Sequence, residues 1–248
     1  MKISQNRIRT IAVSVQGSLH RHKKIPCQDY FAYSAKGKNY VAVVSDGAGS
    51  AKYGKIGARI VCDTLVDLLK NIPFHAAESK IKKAICVARQ KLARHRLNKN
   101  NINDFAATVV GAIYHNKKGL FFHIGDGAAI ALHDKSGNMF SASRPENGIY
   151  ACETYFYTQE DWLQNLRVIN FSNANSLFLM SDGLTSFSFS SDFSKLEKGF
   201  VLPINNFLTE EKSKMKARKA LENTLNASKA QNLNSDDKTL VWTYIGDA

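Results

Sequence analysis

Val41-Ala42-Val43-Val44-Ser45-Asp46-Gly47-Ala48-Gly49 is an apolar run that ends in a carboxylate and then turns on glycine. It reads as a strand whose C-terminal end delivers Asp46. The same logic returns far downstream in Leu177-Phe178-Leu179-Met180-Ser181-Asp182-Gly183. Two buried strands that each end in Ser-Asp-Gly can hold oxygen ligands rigidly at the edge of a sheet. The expectation is that these aspartates help build a metal site and that the rest of the chain builds its walls.

Working outward, Arg9 to Gln16 alternates, with Ile11, Val13 and Val15 on one face, as a half-buried strand does. Gly17 to Pro26 reads as a loop rich in His, Arg and Lys, and Cys27 to Tyr33 as a second strand. After the opening stretch come two helices. The first runs roughly from Lys52 to Asn71, with Val61, Leu65 and Leu68 on one face and Pro73 as its stop. The second runs roughly from Ala76 to Leu97, with an apolar stripe of Ile81, Ile85, Ala88 and Leu92 and a basic opposite face. Phe105–Tyr114, Leu120–Ile124, Ala128–Leu132, Leu166–Phe171 and Leu177–Met180 read as strands. A long helix over Glu210–Ser228 and a last strand over Thr239–Ile245 complete the chain. This order is not a regular βαβ alternation and favours an α+β layered sandwich with mostly antiparallel sheets. With no internal repeat and no low-complexity linker, residues 1–248 read as one domain. The irregular segment 143–162 is long enough to read as a flap.

The totals agree with an ordinary globular protein. Of 248 residues, 44% are hydrophobic, enough for a full core. No apolar run approaches the ~18 residues a membrane span needs. No apolar segment follows the charged N-terminus, so no signal peptide is expected. Cys27, Cys62, Cys86 and Cys152 are scattered without metal spacing, which suits reduced thiols in a cytoplasmic protein. The net charge of +13 draws acidic partners. Its main concentrations, Lys80 to Lys99 and Lys212 to Lys219, read as solvated helix faces. No motif or interleaved aromatics mark a nucleic-acid surface.

Asp46, Asp126 and Asp182 stand at turns after apolar runs, Asp29 lies in a strand-like run, and Asp236 and Asp237 precede the last strand. No His or Cys lies near them at zinc spacing, and oxygen-only ligands suit Mg²⁺ or Mn²⁺. Any single Asp-Gly is more often a turn than a ligand. Spacing alone leaves the whole set evenly balanced between the two.

The ordered set resembles the metal-dependent serine/threonine protein phosphatases of the 2C type, in particular a compact bacterial subgroup. The motifs run in order from about Ile11 to Tyr244: Gln28-Asp29, Asp46-Gly47-Ala48-Gly49, Thr108, Gly125-Asp126, Ser181-Asp182-Gly183 and Asp236-Asp237-Lys238-Thr239. The resemblance implies a four-layer α-β-β-α sandwich of two mostly antiparallel sheets flanked by helices. It implies two Mn²⁺ or Mg²⁺ ions and a place for a third. Asp46 would bridge the two ions, with the Gly47 carbonyl completing one of them. Asp182 and Asp236 would hold the other. Asp126, with Asp182, would serve the third site, and Asp29 would act through water. Three positions depart from the family pattern. His20, with Arg21 beside it, stands where an Arg usually grips the substrate phosphate, so either could be the grip. Ala48 stands where some members carry a His, and Gln28 replaces an acidic residue. The activity implied is hydrolysis of phosphoserine or phosphothreonine by metal-activated water in a monomer, and the net charge of +13 would favour acidic phosphosites. The alternatives are a pseudophosphatase that binds a phosphoprotein, a nucleic-acid-binding protein and a small phosphorylated metabolite as substrate.

Overall fold

The computed structural model describes residues 8–97, 99, 101–146 and 154–245. Among these residues ten strands form two five-stranded sheets. They are β1 Arg9–Val15, β2 Tyr30–Lys36, β3 Asn39–Ser45, β4 Val109–His115, β5 Lys118–Ile124, β6 Ala128–Leu132, β7 Phe140–Ser143, β8 Arg167–Ser172, β9 Ser176–Met180 and β10 Lys238–Tyr244. One sheet has the order β1-β10-β9-β6-β7 and the other β2-β3-β4-β5-β8, and every pairing is antiparallel. The helices are α1 Ser18–His22, α2 Gly54–Leu69, α3 Ala77–Ala93, α4 Thr185–Ser188, α5 Lys198–Glu210, α6 Lys214–Asn226 and α7 Ser228–Leu233.

The apolar runs follow from burial on both faces. In β3, Val41 and Val43 pack toward α2 and α3, while Ala42 and Val44 face the other sheet. In β9, Phe178 and Met180 pack among residues of α5 and α6, while Leu177 and Leu179 face the inter-sheet layer. Strands covered on both sides need apolar residues at every position. The result is the expected α+β sandwich of four layers, helices outside and sheets inside. Among the described residues no helix is long and apolar enough to cross a membrane. Cys27, Cys62 and Cys86 are free thiols, and Cys152 lies outside the described residues.

Several elements differ from the sequence reading. The Gly17–Pro26 loop contains the short α1, docked by Leu19 N donating to the Ser235 carbonyl at 3.0 Å. The helix read over Glu210–Ser228 is α6, shorter at both ends, with α5 ending at Glu210 and α7 beginning at Ser228. Glu211 takes extended backbone, and Ser213 caps α6 by accepting from Lys216 N at 3.3 Å. α5 begins well upstream and contains Pro203, whose missing N–H argues against a helix in sequence alone. Leu68 is exposed, and Leu69 takes its place in the core. Of the segment read as a flap, 147–153 lies outside the described residues. Beyond it, Tyr157 and Trp162 are buried in the core beneath α2 and α3.

Candidate active site

The register of one sheet brings the acidic turns together. Met180 pairs with Leu240 of β10 on one side and Ala128 of β6 on the other. The turns after β9, before β10 and before β6 therefore leave the sheet at one edge, carrying Asp182, Asp236 and Asp126. β3 of the facing sheet adds Asp46. These four aspartates line one cavity of about 410 Å³, with Ala48, Gly49, Ser50, Thr108, Thr154, Phe156, Gln159 completing its wall.

Local bonds fix the Asp46 turn. Asp46 N donates to Thr108 Oγ1 at 3.0 Å, Thr108 N donates to the Asp46 carbonyl at 2.9 Å, and Ser45 Oγ donates to the Thr108 carbonyl at 2.5 Å. Gly47 crosses the start of α2 so closely that a Cβ would stand 2.3 Å from the Gly54 carbonyl carbon. Only glycine fits there.

The electrostatics are those of an uncompensated acidic site. Burial, then the charges of Asp29, Asp182, Asp236 and Asp126, holds the Asp46 carboxyl well above the usual range. Burial followed by Asp126, Asp236 and Asp29 does the same to Asp182. Burial raises Asp126 as well, against the hydrogen bond from Thr154 Oγ1 to its Oδ2 at 2.6 Å. Oδ1 of Asp29, Asp126 and Asp182 is in each case buried with no hydrogen-bond partner. Such oxygens cost free energy unless something donates to them or binds them. The carboxylates share the cavity without meeting at one point. Among the described residues no group of three or more His, Cys, Asp or Glu is gathered closely enough to hold an ion.

Asp29 stands behind the cavity rather than in its lining. It is buried, it accepts from Ser181 Oγ at 2.7 Å, and burial pushes its carboxyl up to about 6. His20 and Arg21 are not in the lining either. His20 Nδ1 bonds the buried carboxylate of Asp237 at 2.8 Å, so its ring is committed to the turn before β10. Arg21 is exposed, and among the described residues its guanidinium makes no ion pair. Asp237 also accepts from Gly17 N at 2.7 Å and Gln28 N at 2.6 Å.

Thr154, Phe156 and Gln159 were not singled out by sequence, because no periodicity marks their segment. Lys238 was missed because a lysine after two aspartates reads as solvated. It is buried instead, and burial lowers the pKa of its ammonium.

The family model of protein phosphatase 2C matches residues 16–226, most of the chain. This chain belongs to the protein phosphatase 2C family. Solved relatives share its fold at low identity. A bacterial serine phosphatase is 17% identical, with a TM-score of 0.69 over 98% of this chain and 99% of that one. The serine/threonine phosphatase Stp1 from Staphylococcus aureus is 16% identical, with a TM-score of 0.68 over 97% and 96%. The catalytic domain of the serine/threonine protein phosphatase PstP, solved with two manganese ions, is 16% identical, with a TM-score of 0.65 over 97% and 99%. No curated protein sequence matches this family member. The family match stops before Asp236, so that aspartate's membership of the site rests on the geometry above.

Proposed function

We propose that the chain hydrolyses phosphoserine or phosphothreonine in proteins, using divalent cations held by the cavity aspartates. The observation that carries this reading is the set of four aspartates on one cavity, two of them with a buried, unpartnered Oδ1. Carboxylates that raise one another's pKa are a site awaiting positive charge. An all-oxygen donor set favours Mn²⁺ or Mg²⁺. The cations bound in two structural relatives, manganese in PstP and magnesium in RsbX, support the same choice.

Asp46, the Gly47 carbonyl, Asp182 and Asp236 would hold two cations, and Asp126 with Asp182 a third. Asp29 would support them from behind. When bound, such cations activate water and offset the charge of the phosphoryl group. The rest falls to the chain's own residues. The Thr108 and Ser45 bonds hold the Asp46 turn still, and Thr154 orients Asp126. Among the described residues no imidazole lines the cavity, and Ala48 stands in its wall, so the departing hydroxyl would take its proton from water. With His20 engaged by Asp237, Arg21, exposed and without an ion pair among the described residues, is the candidate grip on phosphate. The +13 surface favours acidic phosphosites.

The test is phosphate release from a phosphothreonine peptide in Mn²⁺, in Mg²⁺ and in EDTA. Release in either metal and none in EDTA is expected. No release in any condition from folded protein would overturn the reading.

A further inference from the structure

The last strand opens with a charge where the interior asks for an apolar side chain. Lys238 is 0% exposed and pairs with Val15 across the sheet. Its Nζ donates to the carbonyls of Asn234 and Asp236, each at 2.7 Å. The side chain thus reaches back and closes its own preceding turn. Burying an ammonium on two neutral carbonyls is costlier than burying an apolar residue of similar volume. Stability therefore does not account for Lys238.

The contacts account for it as a device that shapes the turn. Within 234–237, Asn234 Oδ1 accepts from Asp236 N at 2.9 Å and Asp236 Oδ1 accepts from Asp237 N at 2.8 Å. Asp237 then ties the turn to Gly17, His20 and Gln28. The Asp182 turn rests on the same floor. A Cβ on Gly183 would stand 2.0 Å from the Asp237 carbonyl oxygen and 3.2 Å from Lys238 Cγ. Two of the cavity aspartates, one before β10 and one after β9, are therefore set on Asp237 and Lys238.

We infer that Lys238 is a positioning residue, whose ammonium fixes the backbone of Asp236 so that its carboxylate faces an incoming divalent cation. The inference rests on the cation-dependent reading above. A buried positive charge could instead act by neutralising the aspartates, and the two roles differ in sign. Loss of a brace weakens cation binding, whereas loss of a repelling charge tightens it.

The experiment is Mn²⁺ titration of the full chain by calorimetry, for wild type, Lys238→Met and Lys238→Gln, with melting in EDTA as the check on folding. Met removes charge and donors, while Gln removes the charge and keeps a donor. The expected result is binding weakened about 10- to 100-fold in the Met variant and by less in the Gln variant. Equal or tighter binding in the folded variants overturns the inference. Should Lys238→Met fail to melt cooperatively, Lys238→Gln decides by the same sign. Wild type that binds Mn²⁺ yet releases no phosphate would remove the proposed activity and leave the positioning role standing. Wild type that binds no Mn²⁺ would remove both.

Discussion

Ser181 Oγ donates to Asp29 Oδ2 at 2.7 Å, joining residues 152 positions apart, and the same oxygen accepts from Thr239 N at 2.9 Å. One hydroxyl thus links Asp29 just before β2, the Asp182 turn and β10. It also holds the Asp29 carboxyl down against the stronger upward effect of burial. Ser181→Ala removes a donor from a buried carboxylate and the acceptor of the Thr239 N–H. The expected cost is about 1–3 kcal/mol of folding stability, read by urea denaturation in EDTA. A loss within error would mean that water replaces the hydroxyl.

Asp46→Asn and Asp182→Asn separate function from folding. Each removes one charge from a group of mutually repelling carboxylates and changes no volume. Turnover should fall by ~100-fold or more in Mn²⁺. The melting temperature in EDTA should rise, because the lost charge was a cost in the metal-free fold. Full activity in either variant would sink the assignment of these residues.

The same carboxylates give the metal-free protein an unusual pH dependence. Asp29, Asp46, Asp126 and Asp182 all have pKa values above the ordinary carboxylate value, chiefly through burial. The folded protein therefore binds more protons than the unfolded chain through this range. The stability linked to those protons is fully present below the unfolded value of about 4. It is lost as pH rises through the folded values, about 6 for Asp29 and well above the ordinary carboxylate value for Asp46 and Asp182. Melting in EDTA should be higher at pH 5 than at pH 8 by this contribution, and Mn²⁺ should restore stability at pH 8. A flat difference between wild type and Asp182→Asn across that range would contradict it.

The layered fold was legible because both sheets are covered on both faces, so β3 and β9 write themselves as unbroken apolar runs. The turns of Asp46, Asp126 and Asp182 were legible because each follows an apolar run, and that of Asp236 because it precedes one. Short or contradictory signals failed. α1 is five residues long, too few to show a helical period, and α5 carries Pro203. The break before α6 depends on Ser213 acting as a cap, a choice that the neighbouring charged residues hide. The sequence made His20 a candidate phosphate grip, yet its partner Asp237 lies 217 residues away, and no spacing rule connects the two. Lys238 shows the same limit, since its burial is decided by β1, the Asp182 turn and its own preceding turn together.

His20 and Arg21 are neighbours with opposite settings, and that difference can be measured. His20 supplies one of three hydrogen bonds to the buried Asp237 carboxylate. His20→Ala should therefore cost about 1–2 kcal/mol in stability, since a charged acceptor loses a donor. Arg21 is exposed and makes no ion pair among the described residues, so Arg21→Ala should leave the melting temperature unchanged. If the guanidinium grips phosphate, its loss raises KM for a phosphothreonine peptide by about 10-fold with kcat less affected, as loss of one charge-assisted contact does. Arg21→Lys should recover only part of that, because an ammonium cannot form the bidentate fork. The reverse pattern, with KM raised by His20→Ala and unmoved by Arg21→Ala, would place the phosphate grip on the imidazole.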